Sequence, residues 1–293
     1  MFLEEFVNKS NNGFIKAERY LNDGSPSGFS LINTTSEHTR PKAQSSSFKL
    51  KQIRFNKDIF IEDFGEYKLN QIKDGCIFIH PDMLNSEELL NKTNYSVVDE
   101  LMVAPTASGR TVLALNENYF VKLAYIGFLG RLVRHMNSEI ICSACEVTKQ
   151  LIEATKTKKL NSAFSFLRED FGRVAHIPIS NFTNSTLELP LNDKGCYEWG
   201  VLFREMKPFP YVQEDEPITQ KPLACQDKPL LIQLFERQNK SMAEFLLYDI
   251  LFPLFNTYFD ALIFAGIEIE AHAQNMLLTI DKSYCVKRIV CRD

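Results

Sequence analysis

Between residues 49 and 81 the stretches LKQIRF, DIFIEDF and CIFIHP alternate apolar and polar positions, the two-residue period of strands with one buried face. After them, SEELLNKT and YSVVDELM read as short helices. In TVLALNENYFVKLAYIG two apolar runs flank Asn116-Glu117-Asn118, which predicts a strand pair joined by a tight turn. From 127 to 157 apolar positions recur three or four apart, through Leu129, Leu132, Val133, Met136, Ile140 and Ile141, and this spacing predicts a helix. A further helix is predicted over LNSAFSFLREDFG, ended by Gly172. The run CYEWGVLFRE is aromatic and branched, hence strand-like, and a Pro-rich loop follows from Lys207 to Lys228. Residues 229 to 265 predict one long or two broken helices with Pro253 as the kink, and the apolar stretch Phe245 to Ala265 is expected to be buried. GIEIEAHAQNMLLTI, a turn at Asp281-Lys282-Ser283 and CVKRIVCRD predict a second hairpin. Strands and helices mixed in this order favour an α+β fold, with mixed and antiparallel sheets, over a doubly wound parallel sheet.

Composition narrows the class. The chain has 293 residues, 45% of them hydrophobic and 24% charged, with 12 Gly and 12 Pro, which excludes collagen-like, low-complexity and wholly disordered readings. Residues 22 to 48 are rich in Ser, Thr, Gly and Pro and read as an exposed loop with a boundary near 48. With 33 Lys+Arg against 37 Asp+Glu the net charge is -4, so no global basic field recruits nucleic acid or an anionic membrane. Seven scattered cysteines and an acidic start without a leader-like apolar run point to a reducing cytoplasm. Asp249, Asn256 and Asp260 interrupt the Phe245 to Ala265 stretch, and an acidic residue costs about 2.5 to 3.5 kcal/mol at a bilayer centre, so no membrane span is expected there.

Two constellations carry candidate chemistry. The first is Ser108-Gly109-Arg110-Thr111 with Lys122 and Arg134: hydroxyls, guanidinium groups and an ammonium that can surround phosphate or carboxylate oxygens. A Ser-x-Arg-Thr tetrapeptide arises often by chance, and surface Lys and Arg usually only solvate a face. Lys122 says more, because it sits inside the apolar run YFVKLAYIG and therefore needs an anionic partner. The second is Glu268, Glu270, His272, Gln274 and Asn275, which would share one face of a strand while Ile267, Ile269, Ala271 and Ala273 pack on the core. Such a row could bind Mg²⁺ through oxygen, a phosphate or a substrate carboxylate, or it could be the solvated face of an antiparallel sheet. Arg292-Asp293 would follow one hairpin later. No GxxxxGK[ST], GxGxxG, GxSxG or HExxH occurs, so P-loop, dinucleotide, serine-hydrolase and zincin chemistry lack support.

Taken in order, four stretches resemble the aerobactin-synthetase (IucA/IucC) family, the NRPS-independent siderophore synthetases. IFIHPDM looks like that family's strand ending in HPWQ, and APTASGRTV like its Ser-x-Arg-Thr phosphate loop. YFVKLAYIGFLGRLVR looks like its Lys-Leu strand with an Arg twelve residues later, and GIEIEAHAQNMLLTID with RIVCRD like its EaHgQN strand and following Arg-Asp. The resemblance covers roughly residues 72 to 293 and departs from the pattern at Ala273, where Gly is usual, and at Asp82-Met83, where Trp-Gln is usual. Family members are about twice as long.

The resemblance implies the fingers and palm of a siderophore synthetase, without part of the N-terminal and C-terminal regions. Its divisions would be a variable segment at 1–71, a fingers-like phosphate-loop region at 72–228 and palm-like helices with the EAHAQN hairpin at 229–293. It implies an ATP- and Mg²⁺-dependent carboxylate-amine (or hydroxyl) ligase that adenylates citrate or a citrate derivative. Ser108, Arg110, Thr111 and Lys122 would bind ATP phosphates, and Gln274 and Asn275 would contact the nucleotide. Arg134 and His272 would be the catalytic-site groups holding substrate carboxylates, and Glu270 and Asp293 would serve Mg²⁺. The Arg110/Lys122/Arg134 cations and the His272/Asn275 strand are expected to line opposite walls of one cleft. Other readings are a non-catalytic nucleotide-binding or interaction remnant, paired as a homodimer or with a complementing polypeptide, and a kinase-like phosphotransferase, whose product would be ADP rather than AMP.

Overall fold

The structure is a computed structural model that describes residues 15, 39, 47–56, 59–66, 72–85, 94–106, 108–115, 117–129, 132–182, 189–211, 216–219, 228–272 and 275–292. The helix expected over SEELLNKT and nearly all of the loop expected at 22–48 lie outside the described residues. The chain divides into two units, and the sequence-based boundaries at 71/72 and 228/229 each fall inside one of them.

One unit comprises Ser30–Glu146 and Glu169–Arg204. Its strands are β1 (Phe48–Phe55), β2 (Phe60–Gly65), β3 (Ile77–Ile79), β4 (Tyr95–Pro105), β5 (Thr111–Ala114), β6 (Tyr119–Leu123), β7 (Tyr125–Leu129), β8 (Leu132–Arg134), β10 (Phe171–Pro178) and β11 (Cys196–Glu205). Eight of them form one sheet in the order β2-β10-β11-β6-β5-β4-β1-β3, while β7 and β8 pair with each other. Helix α1 (Pro81–Asn85) follows β3, and α2 (Ser138–Lys156), of which this unit holds the residues up to Glu146, follows β8. Leu50, Ile53, Phe78, Val121, Phe171 and Trp199 are fully or almost fully buried in its core.

The second unit contains Val147–Arg168 and Glu205–Asp293 together with Met1–Phe29. Its sheet runs β12 (Glu216–Thr219), β13 (Met276–Ile280), β14 (Val286–Cys291), β9 (Phe164–Phe166), antiparallel except for the parallel pairing of β14 with β9. Helix α3 (Leu230–Glu236) is followed by α4 (Met242–Ala265), which contains two π-helical segments, Phe245–Leu251 and Ala261–Ala265.

Sheets with long-range ladders beside helices make this an α+β protein, as the mixed pattern predicts. The strands β1, β2 and β3, the β5–β6 hairpin and β11 stand where the sequence puts them, and so does the β13–β14 hairpin from Met276 onward. Besides the loop expected from Lys207 to Lys228, which contains β12 paired with β13, four readings are corrected. YSVVDELM is strand, not helix: β4 pairs with β1 from Phe48↔Val103 to Phe55↔Tyr95, and the ladder with its branched residues outweighs the helical spacing of Tyr95, Val98 and Leu101. Residues 127–129 lie in β7 and 132–134 in β8, which pair with each other, and the helix starts only at Ser138, beyond the helix-weakening glycines of this stretch of sequence. LNSAFSFLREDFG holds β9 and the start of β10, because a short aromatic run does not distinguish a buried strand from a helix. The fourth is α4, which is not buried: Phe245, Ile250, Thr257 and Ala261 face inward, while Tyr248, Phe252, Phe255 and Phe259 are exposed.

Two glycines set how closely the start of α2 packs on its sheet. A Cβ on Gly200 would stand 2.5 Å from the Met136 carbonyl oxygen and 2.6 Å from Ile141 Cδ1, and one on Gly172 would stand 2.3 Å from Ile141 Cγ2. Gly200→Ala must push Met136 and Ile141 off β11, so we expect a loss of about 2 kcal/mol in chemical denaturation. A variant as stable as the parent would contradict this packing.

Candidate functional site

In the large-sheet unit the first constellation is assembled by the β5–β6 hairpin. Thr111 and Lys122 are direct partners across the ladder, so their side chains share one face. The Lys122 ammonium lies 3.7 Å from Glu169 Oε1, with the lysine side chain only 18% exposed. Glu169 Oε1 also accepts from Arg204, whose Nε donates at 2.8 Å and whose Nη2 makes a second, short contact. The Arg204 guanidinium is almost fully buried. One carboxylate thus joins two cations. Glu169 is the anion that the apolar setting of Lys122 demands. Sequence reasoning did not find it, because LREDFG read as the end of a helix.

The loop before β5 is held from several sides. Thr106 Oγ1 donates to the Thr111 carbonyl at 2.7 Å, and the Ser108 amide donates to Thr106 Oγ1 at 3.3 Å. The Leu123 amide donates to the Arg110 carbonyl at 3.0 Å. Arg110 Nη1 donates to the carbonyls of Arg134 and His135 at 3.0 and 3.3 Å. Arg110, Thr111 and Lys122 are therefore brought to one end of the hairpin, and Arg134 meets Arg110 through its main chain. These contacts are built by a short loop that uses hydroxyl and guanidinium groups in place of a ladder.

His135 borders this cluster. Its Nδ1 is 3.0 Å from the Tyr197 hydroxyl, and burial, reinforced by the Arg110 charge, holds its pKa below the ordinary value. The folded chain therefore favours the neutral ring. Its contribution to stability is complete above the unfolded pKa near 6.5 and is lost as pH falls below it. Denaturation at pH 7.5 and 5.5 should show a smaller loss on acidification in His135→Asn than in the parent. An equal loss in both would contradict this placement.

The HPDM segment is structural. His80 is buried, caps α1 by accepting from the Asp82 amide at Nδ1 (3.2 Å), and meets the Tyr125 ring edge-on at 5.1 Å.

In the other unit, the expected strand over GIEIEAHAQN is corrected. Ladder pairing begins only at Met276, and residues 266–272 form no strand. Gly266, at φ +67°, closes α4, and the chain then turns at His272, whose carbonyl accepts from the amides of Asn275 (2.8 Å) and Met276 (3.1 Å). The alternation of Ile267 and Ile269 imitates a strand, but only Ile269 is buried. Asn275 is buried and its Nδ2 donates to Glu270 Oε2 at 2.9 Å, while His272 Nε2 lies 3.6 Å from Glu270 Oε1. Glu270 and His272 are exposed. Met276 pairs with Cys291, which sets Arg292 beside Asn275, and the Arg292 amide donates to the Asn275 carbonyl at 2.8 Å. Glu270, His272 and Asn275 are thus gathered by a turn rather than by a strand face. Gln274 and Asp293 lie outside the described residues. Among the described residues no three His, Cys, Asp or Glu groups come together as a metal site.

This α+β architecture is the fold of the siderophore synthetases. Among solved structures, the ATP-bound aerobactin synthetase IucA from a hypervirulent pathotype of Klebsiella pneumoniae matches 96% of this chain and 56% of its own, at TM-score 0.66 and 16% identity. The petrobactin biosynthesis protein AsbB from Bacillus anthracis str. Sterne matches 96% of this chain and 52% of its own, at TM-score 0.63 and 14% identity. The aerobactin synthetase IucC from the same Klebsiella pathotype matches 88% of this chain and 50% of its own, at TM-score 0.62 and 13% identity. The chain therefore spans about half the length of these proteins. No protein-family model and no curated protein matches the sequence.

Proposed function

We propose that this chain is the nucleotide-binding part of an ATP- and Mg²⁺-dependent ligase of siderophore biosynthesis, adenylating citrate or a citrate derivative for attack by an amine or hydroxyl. The observation that carries this reading is the cross-strand pair Thr111–Lys122 beside the Arg110 loop, in a fold shared with a synthetase solved with ATP bound. That donor set suits a polyphosphate. Arg110 offers fork-shaped donors, Lys122 a point charge, and Ser108 and Thr111 hydroxyls. Because Lys122 is largely withdrawn from water, its attraction for phosphate oxygens is screened less than at an open surface.

In this reading Arg134 and His272 hold substrate carboxylates, while Gln274 and Asn275 contact the nucleotide. Mg²⁺ takes one or two carboxylates and completes its shell with phosphate oxygens and water, so Glu270 and Asp293 suit it without a closed cage of protein ligands. When bound, the ion neutralises charge on the phosphates. No enzymic nucleophile is required, since the nucleotide supplies activated phosphorus. The scattered, odd-numbered set of seven cysteines suits a reducing, cytoplasmic setting.

A second reading is a nucleotide-binding remnant without turnover. Titration calorimetry with ATP and Mg²⁺ separates the possibilities when combined with a pyrophosphate-release assay on citrate and diamines. We expect binding that weakens at least about tenfold in Lys122→Ala, where Glu169 keeps Arg204 as its partner, and in Arg110→Ala. Pyrophosphate release supports the ligase, binding without release supports the remnant, and heats unaltered in both variants contradict both.

A further inference from the structure

Lys122 and Arg204 reach one carboxylate oxygen from two different strands. The β5–β6 ladder fixes the Lys122 backbone opposite Thr111, and the ammonium lies 3.7 Å from Glu169 Oε1. Arg204, near the end of β11, sets two guanidinium nitrogens on that same oxygen, Nε at 2.8 Å and Nη2 in a shorter contact. The two contacts differ in kind. Arg204 holds the carboxylate by directed hydrogen bonds, whereas at 3.7 Å the contact with Lys122 is an attraction of charges beyond hydrogen-bond range.

The chain carrying the carboxylate is itself anchored. Glu169 stands two residues ahead of Phe171, which pairs with Gly65 across the β2–β10 ladder. Gly65 takes φ +89°, and a Cβ there would stand 2.0 Å from the Asp170 carbonyl oxygen. Only glycine lets the backbone close this tightly next to Glu169.

We propose that Glu169 is a positioning residue of the nucleotide site: held by Arg204, it sets where the Lys122 ammonium stands to receive a phosphate. The inference rests on Lys122 being a phosphate ligand, as proposed above, and adds a residue that acts through it. A lysine needs such a guide, because its ammonium is a point charge on a flexible stem and lacks the fixed fork of a guanidinium. Without the carboxylate charge, Lys122 and Arg204 lose the anion they share and repel each other. Lys122 is the one that moves. Its side chain is 18% exposed against 4% for Arg204, so it has the shorter way to water. A displacement of only about 1 Å can cost a preset group up to about a hundredfold of its effect.

The competing account is that Glu169 merely neutralises buried cations. Titration calorimetry of the full chain with ATP and with AMP, each with Mg²⁺, separates the two. Glu169→Gln keeps an oxygen that can accept from Arg204 but removes the charge. Glu169→Asp keeps the charge and draws it back by one methylene, so the buried cations still have their anion. ATP affinity should fall about tenfold in Glu169→Gln and about fivefold in Glu169→Asp, with AMP affinity within about twofold of the parent in both. In a Lys122→Ala background either change should cost less than about twofold more, because the group it positions is gone. Circular dichroism checks folding, and Glu169→Asp carries the whole comparison if Glu169→Gln does not fold. ATP affinity that is unchanged or raised in the folded variants, ATP and AMP weakening in step, or a penalty that persists in full without Lys122 would each overturn the proposal and leave the nucleotide reading standing. A parent that binds no ATP overturns both.

Discussion

The Glu169 carboxylate is the hinge of the large-sheet unit's chemistry. An ammonium inside YFVKLAYIG and a guanidinium buried at the end of β11 could not both be withdrawn from water without an anion between them. Glu169 meets both, from the segment leading into β10. Its single carboxylate bridges the two cations and keeps both paired. The Arg110 loop, tied to the chain after β8, adds a second guanidinium to the same end of the β5–β6 hairpin.

A different constraint governs the other unit. Its four-stranded sheet is covered on the α4 side by a helix whose own outer face is apolar, so the hydrophobic layering does not end at that helix. The Glu270, His272 and Asn275 turn lies directly after α4 and ahead of β13. Its shape depends on the left-handed closure at Gly266 and on Asn275 being pinned beside Arg292 by the Met276–Cys291 pairing.

Much of the fold could be read from periodicity where the chain makes local hairpins. The turn at Asn116-Glu117-Asn118 and the Asp281-Lys282-Ser283 turn carry their own signals, so β5–β6 and β13–β14 are legible. Elements set by distant partners are not: β4 depends on β1, and β9 depends on β14, and neither partner is visible in a short window. Lys122 could be picked out because a cation in an apolar run is costly, and the need for a partner followed, but Glu169, 47 residues away, could be named only from the coordinates. Likewise, α4's composition announces an apolar helix without saying which face remains uncovered.

The central claim is that the positive end of the β5–β6 hairpin recognises phosphate rather than a nucleobase. Calorimetric titration of the parent and Lys122→Met with ATP, AMP and adenosine tests it directly. The parent should bind ATP at least about tenfold more tightly than AMP, with adenosine weaker still, and the variant should lose most of that gradation. Equal affinities for the three ligands, or a gradation that survives in Lys122→Met, would contradict the account.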